Sequence, residues 1–304
     1  MESPERESPG PGSRRPYGPT RSEIVEGIAT ELAAAGVESA RLEAERLVSG
    51  ILGITRGELA TAGGERVNPD EALGVARAVS RRLDGEPLQH VEGSVDFRTL
   101  VLVSDGRALI PRPETEQLVD VISEWVARDG PFERVLEIGV GSAAIALSLL
   151  SEGLAVRALG VDVSGEALAQ AAENAERVGV PGLELRSCGP EIWPDLAGES
   201  PFDLVVSNPP YVASADVPHL DVEVRLHEPR VALDGGPDGL EVVRAVLAGV
   251  PAALAPGGRV LLEIGSDQGA RVARLLAGES LLEVPRIRTD LAGRDRFVTA
   301  RRAS

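Results

Sequence analysis

The chain has 304 residues, a length that suits two modest domains, and its 48 acidic and 31 basic residues give a formal net charge of −17. Every basic residue other than histidine is arginine, and the 43% hydrophobic and 26% charged content is that of an ordinary globular protein. No apolar run reaches the roughly 18 residues that span a bilayer. The single cysteine, Cys188, excludes a disulfide framework or a thiolate metal cluster, and the acidity argues against bare nucleic acid as substrate, because its phosphates need neutralising.

Residues 1–20 are rich in Pro and Gly and lack an apolar stretch, so they read as a disordered tail and not a targeting signal. With the lone cysteine and the soluble composition, this predicts a cytoplasmic protein without membrane attachment. From Ser22 the pattern is helical: Ala44, Leu47, Val48 and Ile51 share one helix face. Asn68-Pro69-Asp70-Glu71 places a capping side chain, a first-turn Pro and two acids at a helix start, and Ala72, Ala76, Val79 and Leu83 continue a stripe. Residues 21–86 are therefore expected to form a small helical domain of the kind that docks a partner.

In 87–112 the period changes. Val101 and Val103 alternate with Leu100 and Leu102 before the turn Ser104-Asp105-Gly106, which predicts a β-hairpin linker. Pro111-Arg112-Pro113 ends that stretch, and Glu114-Thr115-Glu116 opens a helix to about Ala127 with its acids at the positive end of the helix dipole. Beyond, in 113–304, strands and helices alternate. Strands are expected at Arg134–Ile138, Ala155–Val161, Leu183–Ser187, Phe202–Val206, Arg259–Ile264, Leu281–Arg288 and Arg296–Ala300. Helices are expected at Ser142–Ser151, Gly165–Val178, Gly239–Leu254 and Asp267–Leu276. This is a mainly parallel α/β sheet with its last two strands antiparallel, and its ligand crevice should lie beyond the carboxyl ends of the strands.

Two motifs fall at those ends. Glu137-Ile138-Gly139-Val140-Gly141-Ser142-Ala143 runs from a strand through a glycine turn into a helix N-terminus, and Asp162 ends the next strand, where an acid takes ribose hydroxyls. Alone, this pattern suits either a dinucleotide or S-adenosylmethionine, with Glu137 facing the cationic methionine end of the latter. The second motif decides between them. Phe202–Val206 delivers Ser207-Asn208-Pro209-Pro210-Tyr211, and the prolines stiffen an extended turn. The Asn208 side-chain oxygen and the Pro209 carbonyl can each accept one N–H of a planar NH₂ group, and Tyr211 can lie against its face. An amide nitrogen is a poor nucleophile, so positioning and hydrogen bonding must supply the catalysis. His90, His219 and His227 lack metal-ligand spacing, so no metal is expected.

The chain resembles the PrmC/HemK family, the peptide-chain release factor glutamine methyltransferases, from about Ser22 to Arg301. The specific segments are Leu109-Ile110-Pro111-Arg112-Pro113-Glu114-Thr115-Glu116, the Asn-Pro-Pro-Tyr turn, His227–Leu240 and Asp290–Arg296. The resemblance implies a seven-stranded Rossmann-like class I S-adenosylmethionine-dependent methyltransferase sheet behind a helical domain that docks the release factor. It implies methyl transfer to the glutamine amide nitrogen of a Gly-Gly-Gln loop. Carried over, Glu137, Gly139, Val140, Gly141, Ser142, Ala143 and Asp162 match the cofactor site. Trp193 matches an adenine-side tryptophan, and Asn208 to Tyr211 match the substrate clamp, with Asn208 also counted among the cofactor-binding residues. Phe97, Arg112 and Glu114 match segments bordering the pocket. Val140, Ala143 and Glu137 depart from the family's usual Thr, third Gly and Asp. The other readings weighed are a related enzyme acting on a ribosomal-protein glutamine or a small-molecule amide, and a non-catalytic docking protein. A monomer is expected.

Overall fold

The computed structural model describes residues 18–199 and 201–304, which form two compact units divided between Asp84 and Gly85. Residues 1–17 of the expected tail lie outside the described residues. The first unit starts before residue 21: the Pro19 carbonyl accepts from the Val67 N–H at 3.1 Å, and Thr20 caps the first helix. Thr20 and Glu23 form a reciprocal capping box, a Thr-x-x-Glu signal that sets the helix start.

That unit is built from α1 (Arg21–Ala34), α2 (Ala40–Leu52), α3 (Arg56–Thr61) and α4 (Pro69–Leu83). Asn68 caps α4 as its sequence suggests, accepting from the Glu71 N–H at 2.9 Å. Ala44, Leu47 and Val48 are buried, but Ile51 is largely exposed. The buried face of α4 is Val75, Ala78, Val79 and Arg82, not the expected Ala72–Ala76–Val79–Leu83 stripe. Hydropathy hides this rotation because a buried arginine occupies the face: Arg82 Nε donates to Glu43 Oε2 of α2 at 2.6 Å.

In the second unit α5 (Leu88–Glu92) occupies residues expected to be extended. Pro87 suits a helix start, and Gly93, with φ +73°, ends the turn in the left-handed region. The hairpin is β1 (Ser94–Phe97) and β2 (Leu100–Val103). Then follow α6 (Pro113–Asp129), β3 (Phe132–Ile138), α7 (Ala144–Ser151), β4 (Ala155–Asp162), α8 (Gly165–Val178), β5 (Leu183–Ser187) and β6 (Phe202–Ser207). The chain continues with α9 (Val222–His227), α10 (Glu241–Leu247), α11 (Val250–Ala253), β7 (Leu254–Glu263), α12 (Gly269–Ala277), β8 (Arg286–Thr289) and β9 (Asp295–Arg301).

The seven-stranded sheet has the order β5-β4-β3-β6-β7-β9-β8. Its first five strands are parallel, and β9 runs antiparallel to both β7 and β8. Alternate residues feed opposite core layers: Leu204 and Val206 join α6, α7 and the hairpin, whereas Val205 joins α10–α12. Two elements differ from expectation at prolines. The segment from Leu281 pairs as β8 only from Arg286, after Pro285, which has no N–H to donate. The helix expected to run to Leu254 breaks at Ala248-Gly249, and α11 restarts with Pro251 in its first turn.

A buried side chain joins the hairpin to the turn after β3. Asn174 of α8 accepts from the Val103 N–H at 2.7 Å and donates to the Ser142 carbonyl at 3.0 Å. It satisfies an edge-strand donor and the glycine turn together. Among the described residues no helix is long and apolar enough to cross a membrane.

Candidate active site

A cavity of about 880 Å³ opens at the carboxyl ends of β3, β4 and β6, the position expected of a ligand crevice in an open α/β sheet. Its floor is the turn after β3. Gly139 and Gly141 have φ +73° and +52°, and the N–H groups of Gly139 and Val140 both donate to the Val161 carbonyl. A Cβ on Gly139 would meet nothing within 4 Å, so the backbone there borders open space. Ala143 caps α7 at φ +63°, a conformation a non-glycine residue enters at a cost of about 1–2 kcal/mol. Val140 lies over Gly160 of β4, where a Cβ would come within 2.6 Å of its methyl group.

Two carboxylates stand beside this turn. Asp162 accepts from the Gly141 N–H through Oδ2 and from the Ser164 N–H through Oδ1, each at 2.9 Å. It therefore fixes the glycine turn, and carboxylate lone pairs remain for a ligand hydroxyl. Glu137 is fully buried and accepts from the Ala146 N–H at 2.8 Å, satisfying a first-turn donor of α7. Burial, with a smaller contribution from the Asp162 charge, pushes the Glu137 carboxyl up to about 8.

The Asn-Pro-Pro-Tyr turn leaves β6, the strand beside β3, and its first three residues line the same cavity. Ser207 donates to the Ile138 carbonyl at 2.6 Å and ties β6 to β3 where both end. Asn208 Nδ2 donates to Thr115 Oγ1 at 3.2 Å, and Thr115 Oγ1 donates to Glu263 Oε2 at 2.8 Å. Burial pushes Glu263 up to about 7. Behind the turn runs Asp234–Leu240. The Val212 N–H donates to the Leu233 carbonyl and the Gly235 N–H to the Val212 carbonyl. A Cβ on Gly235 would approach the Pro210 carbonyl to 2.7 Å, and one on Gly239 would overlap the Tyr211 carbonyl. This segment is glycine-rich because its backbone presses against the turn.

The structure brings Glu137, Gly139, Val140, Gly141, Ser142 and Asp162 together with Asn208, Pro209 and Pro210 around one cavity. Tyr211 borders an adjacent recess of about 470 Å³, and burial raises its phenol's pKa. Other expected residues stand back. Ala143 is wholly buried behind the turn, and Phe97 is packed in the core. Trp193 donates its indole N–H to the Ala245 carbonyl at 2.9 Å and packs on Gly249, so Ile192, at φ +61°, forms that part of the wall. Arg112 is not at the wall either: it donates to buried Glu228 at 2.6 Å, joining the Pro-Arg-Pro segment to the His-Glu-Pro loop. Glu114 lies near enough to Glu263 and Tyr211 to raise both. Sequence reasoning assigned no site role to Thr115, Glu263, Gln268 or Asn174. The motif segment did contain Thr115, but its side-chain partner lies 148 positions away.

Strand order, the antiparallel β9 and the crevice define the class I S-adenosylmethionine-dependent methyltransferase fold. A methyltransferase domain model matches residues 135–225, and a PrmC N-terminal domain model matches residues 23–93. A methyltransferase from Pyrococcus furiosus shares the fold, with a TM-score of 0.50, 17% identity, and coverage of 75% of this chain and all of that one. The release factor glutamine methyltransferase of Deinococcus radiodurans is 40% identical over 273 residues, spanning 90% of this chain and 95% of the relative. That of Cereibacter sphaeroides is 41% identical over 273 residues, spanning 89% and 94%. The chain belongs to the release factor glutamine methyltransferase family.

Proposed function

We propose that this enzyme transfers the methyl group of S-adenosylmethionine to the side-chain amide nitrogen of the glutamine in the Gly-Gly-Gln loop of peptide-chain release factors. The observation that carries the reading is that Asn208, Pro209 and Pro210, in a turn braced through the Tyr211 carbonyl, line the same cavity as the glycine turn and Asp162. The residues present suit the donor. The cavity volume is that of a small-molecule site, Gly139 leaves its backbone open, and Asp162 stands at the strand end with lone pairs to spare.

When bound, S-adenosylmethionine supplies an electrophilic methyl on a cationic sulfur. The chain's own residues do the rest. Asp162 and the glycine turn bind the nucleoside end, and Glu137, when ionised, favours a cation. Asn208 Oδ1 and the Pro209 carbonyl accept the two N–H groups of the glutamine amide. Holding that nitrogen against the methyl converts an encounter into a positioned reaction, which an amide nucleophile needs. The formal charge of −17 suits a protein substrate over a nucleic acid, and a release factor as substrate makes the cytoplasm the place of action.

The test is incubation of the purified chain with an unmethylated release factor and S-adenosylmethionine, followed by peptide mass spectrometry. One added methyl on the Gly-Gly-Gln glutamine is expected. An unmodified glutamine there would overturn the reading.

A further inference from the structure

Asn208 can accept a substrate N–H only if its own amide is turned the right way. A primary carboxamide rotated by half a turn offers a donor in place of the acceptor, with almost no change of shape. A donor there would repel the NH₂ group it is meant to hold, so the protein must choose one face.

The choice is written in two residues outside the turn. Thr115 sits in the first turn of α6 and Glu263 at the end of β7, and both are buried. An ionised carboxylate only accepts, so Glu263 Oε2, 2.8 Å from Thr115 Oγ1, fixes the hydroxyl proton upon itself. The Thr115 oxygen is then left as an acceptor, and at 3.2 Å it takes a proton of Asn208 Nδ2. With the nitrogen committed, Oδ1 is left to accept. We propose that Thr115 and Glu263 form a buried relay that sets the acceptor face of Asn208, both acting as positioning residues for methyl transfer. The inference rests on the proposed function and deepens it.

Geometry also gives the relay a direction in pH. The charged groups around Glu263 are Arg296 of β9 and Arg112, which favour its ionised form, and Glu114 at the start of α6, which opposes it; the Tyr211 phenol also faces it. Arg296 is shared with Asp290 and the Ile264 carbonyl, so burial is only partly offset. A protonated Glu263 can donate to Thr115, which frees the Thr115 proton for Asn208 Oδ1 and turns the amide's NH₂ toward the substrate. Transfer therefore weakens as Glu263 takes up its proton, near neutrality.

The experiment compares the full-length enzyme with Thr115→Val, Thr115→Ser and Glu263→Gln. It measures kcat and KM for an unmethylated release factor from about pH 5.5 to 9, together with calorimetric affinity for S-adenosylhomocysteine. Thr115→Val keeps the shape and removes the hydroxyl. It is expected to lower kcat/KM about ten- to a hundred-fold while S-adenosylhomocysteine affinity stays within about twofold. Thr115→Ser, which restores the hydroxyl, recovers most of the loss. The wild type shows an acid limb near neutrality, and Glu263→Gln, which can still accept from Thr115 but does not titrate, loses that limb.

Wild-type kcat/KM in Thr115→Val, or an unchanged acid limb in Glu263→Gln, overturns the relay while leaving the proposed function standing. So does a loss in Thr115→Val that Thr115→Ser fails to recover, which marks a purely structural role. A wild type that does not methylate the release factor overturns the function itself and the relay with it.

Discussion

The side-chain nitrogen of Gln268 lies 2.9 Å from the carbonyl oxygen of Tyr211. The same nitrogen reaches the Gly239 carbonyl at 3.2 Å, and the Gln268 oxygen accepts from the Gly265 N–H at 3.0 Å. One buried amide thus ties the end of the Asn-Pro-Pro-Tyr turn to the glycine segment behind it and to the loop after β7. Prolines stiffen the turn locally, and these tertiary bonds, with that of Asn208 to Thr115 and those of Val212 to Leu233 and Gly235, hold it in place.

Gln268→Leu should therefore harm catalysis more than cofactor binding. It removes the donor to two carbonyls and leaves the Gly265 N–H without its partner, for an expected loss of about 2–3 kcal/mol of stability. Urea denaturation measures that loss. Kinetics should show a lower kcat/KM for the release factor with S-adenosylhomocysteine affinity nearly retained, because Gln268 does not border the main cavity.

Gly239 supplies the backbone half of the same brace. At φ +71°, with the Tyr211 carbonyl where a Cβ would go, Gly239→Ala combines left-handed strain with a backbone clash. The expected cost is above about 2 kcal/mol, with loss of transfer. Gly153→Ala is the control: φ is +69° there, but nothing lies within 4 Å of the added methyl. It should cost only about 1 kcal/mol and leave activity intact. Equal thermal shifts for the two variants would argue against a steric role for the segment.

These contrasts show which features local sequence encodes. The β3 turn, Asp162 and the Asn208–Tyr211 turn are each contiguous signals, in which strand hydropathy, glycine and proline act on near neighbours. The alternation that yields the sheet is likewise local, and the parallel order follows from it. The brace is different: Gln268 and Tyr211 are 57 positions apart, and Thr115 and Glu263 are 148 apart. Each looks like an ordinary polar residue until the fold brings the partners together. Trp193 shows the reverse case: an aromatic at a suggestive spacing donates its N–H to Ala245 and does not line the cavity. Arg82 shows a third, a charged residue whose burial is licensed only by Glu43 on another helix.

The cofactor and substrate roles assigned to the cavity residues should separate by mutation. Asn208→Ala is expected to abolish measurable transfer and leave S-adenosylhomocysteine affinity within about threefold, since its side chain bonds to Thr115 and to neither the glycine turn nor Asp162. Asp162→Ala should weaken that affinity at least about tenfold, because it removes the ligand's acceptor and the two N–H contacts that hold Gly141 and Ser164. Calorimetry on both variants checks the division. A large affinity loss in Asn208→Ala would contradict it.

Glu137 gives the stability a predictable slope in pH. Its carboxyl is raised by burial from an ordinary value of 4.5 to about 8. Between those values the folded chain binds a proton that the unfolded chain has released, so stability falls as pH rises through the interval and levels above it. The slope approaches about 1.4 kcal/mol per pH unit for one such group, and Glu263 adds to it up to about 7. Glu137→Gln removes the titration and can still accept from the Ala146 N–H. The variant should therefore match the wild type near pH 4.5, exceed it in stability at pH 8, and show a flatter profile in urea denaturation. The same substitution removes a negative charge beside the cavity. Near pH 8, where Glu137 is partly ionised, it should weaken cationic S-adenosylmethionine more than S-adenosylhomocysteine, whose sulfur is neutral. Equal losses for the two ligands would show that Glu137 serves the α7 N-terminus and not the cation.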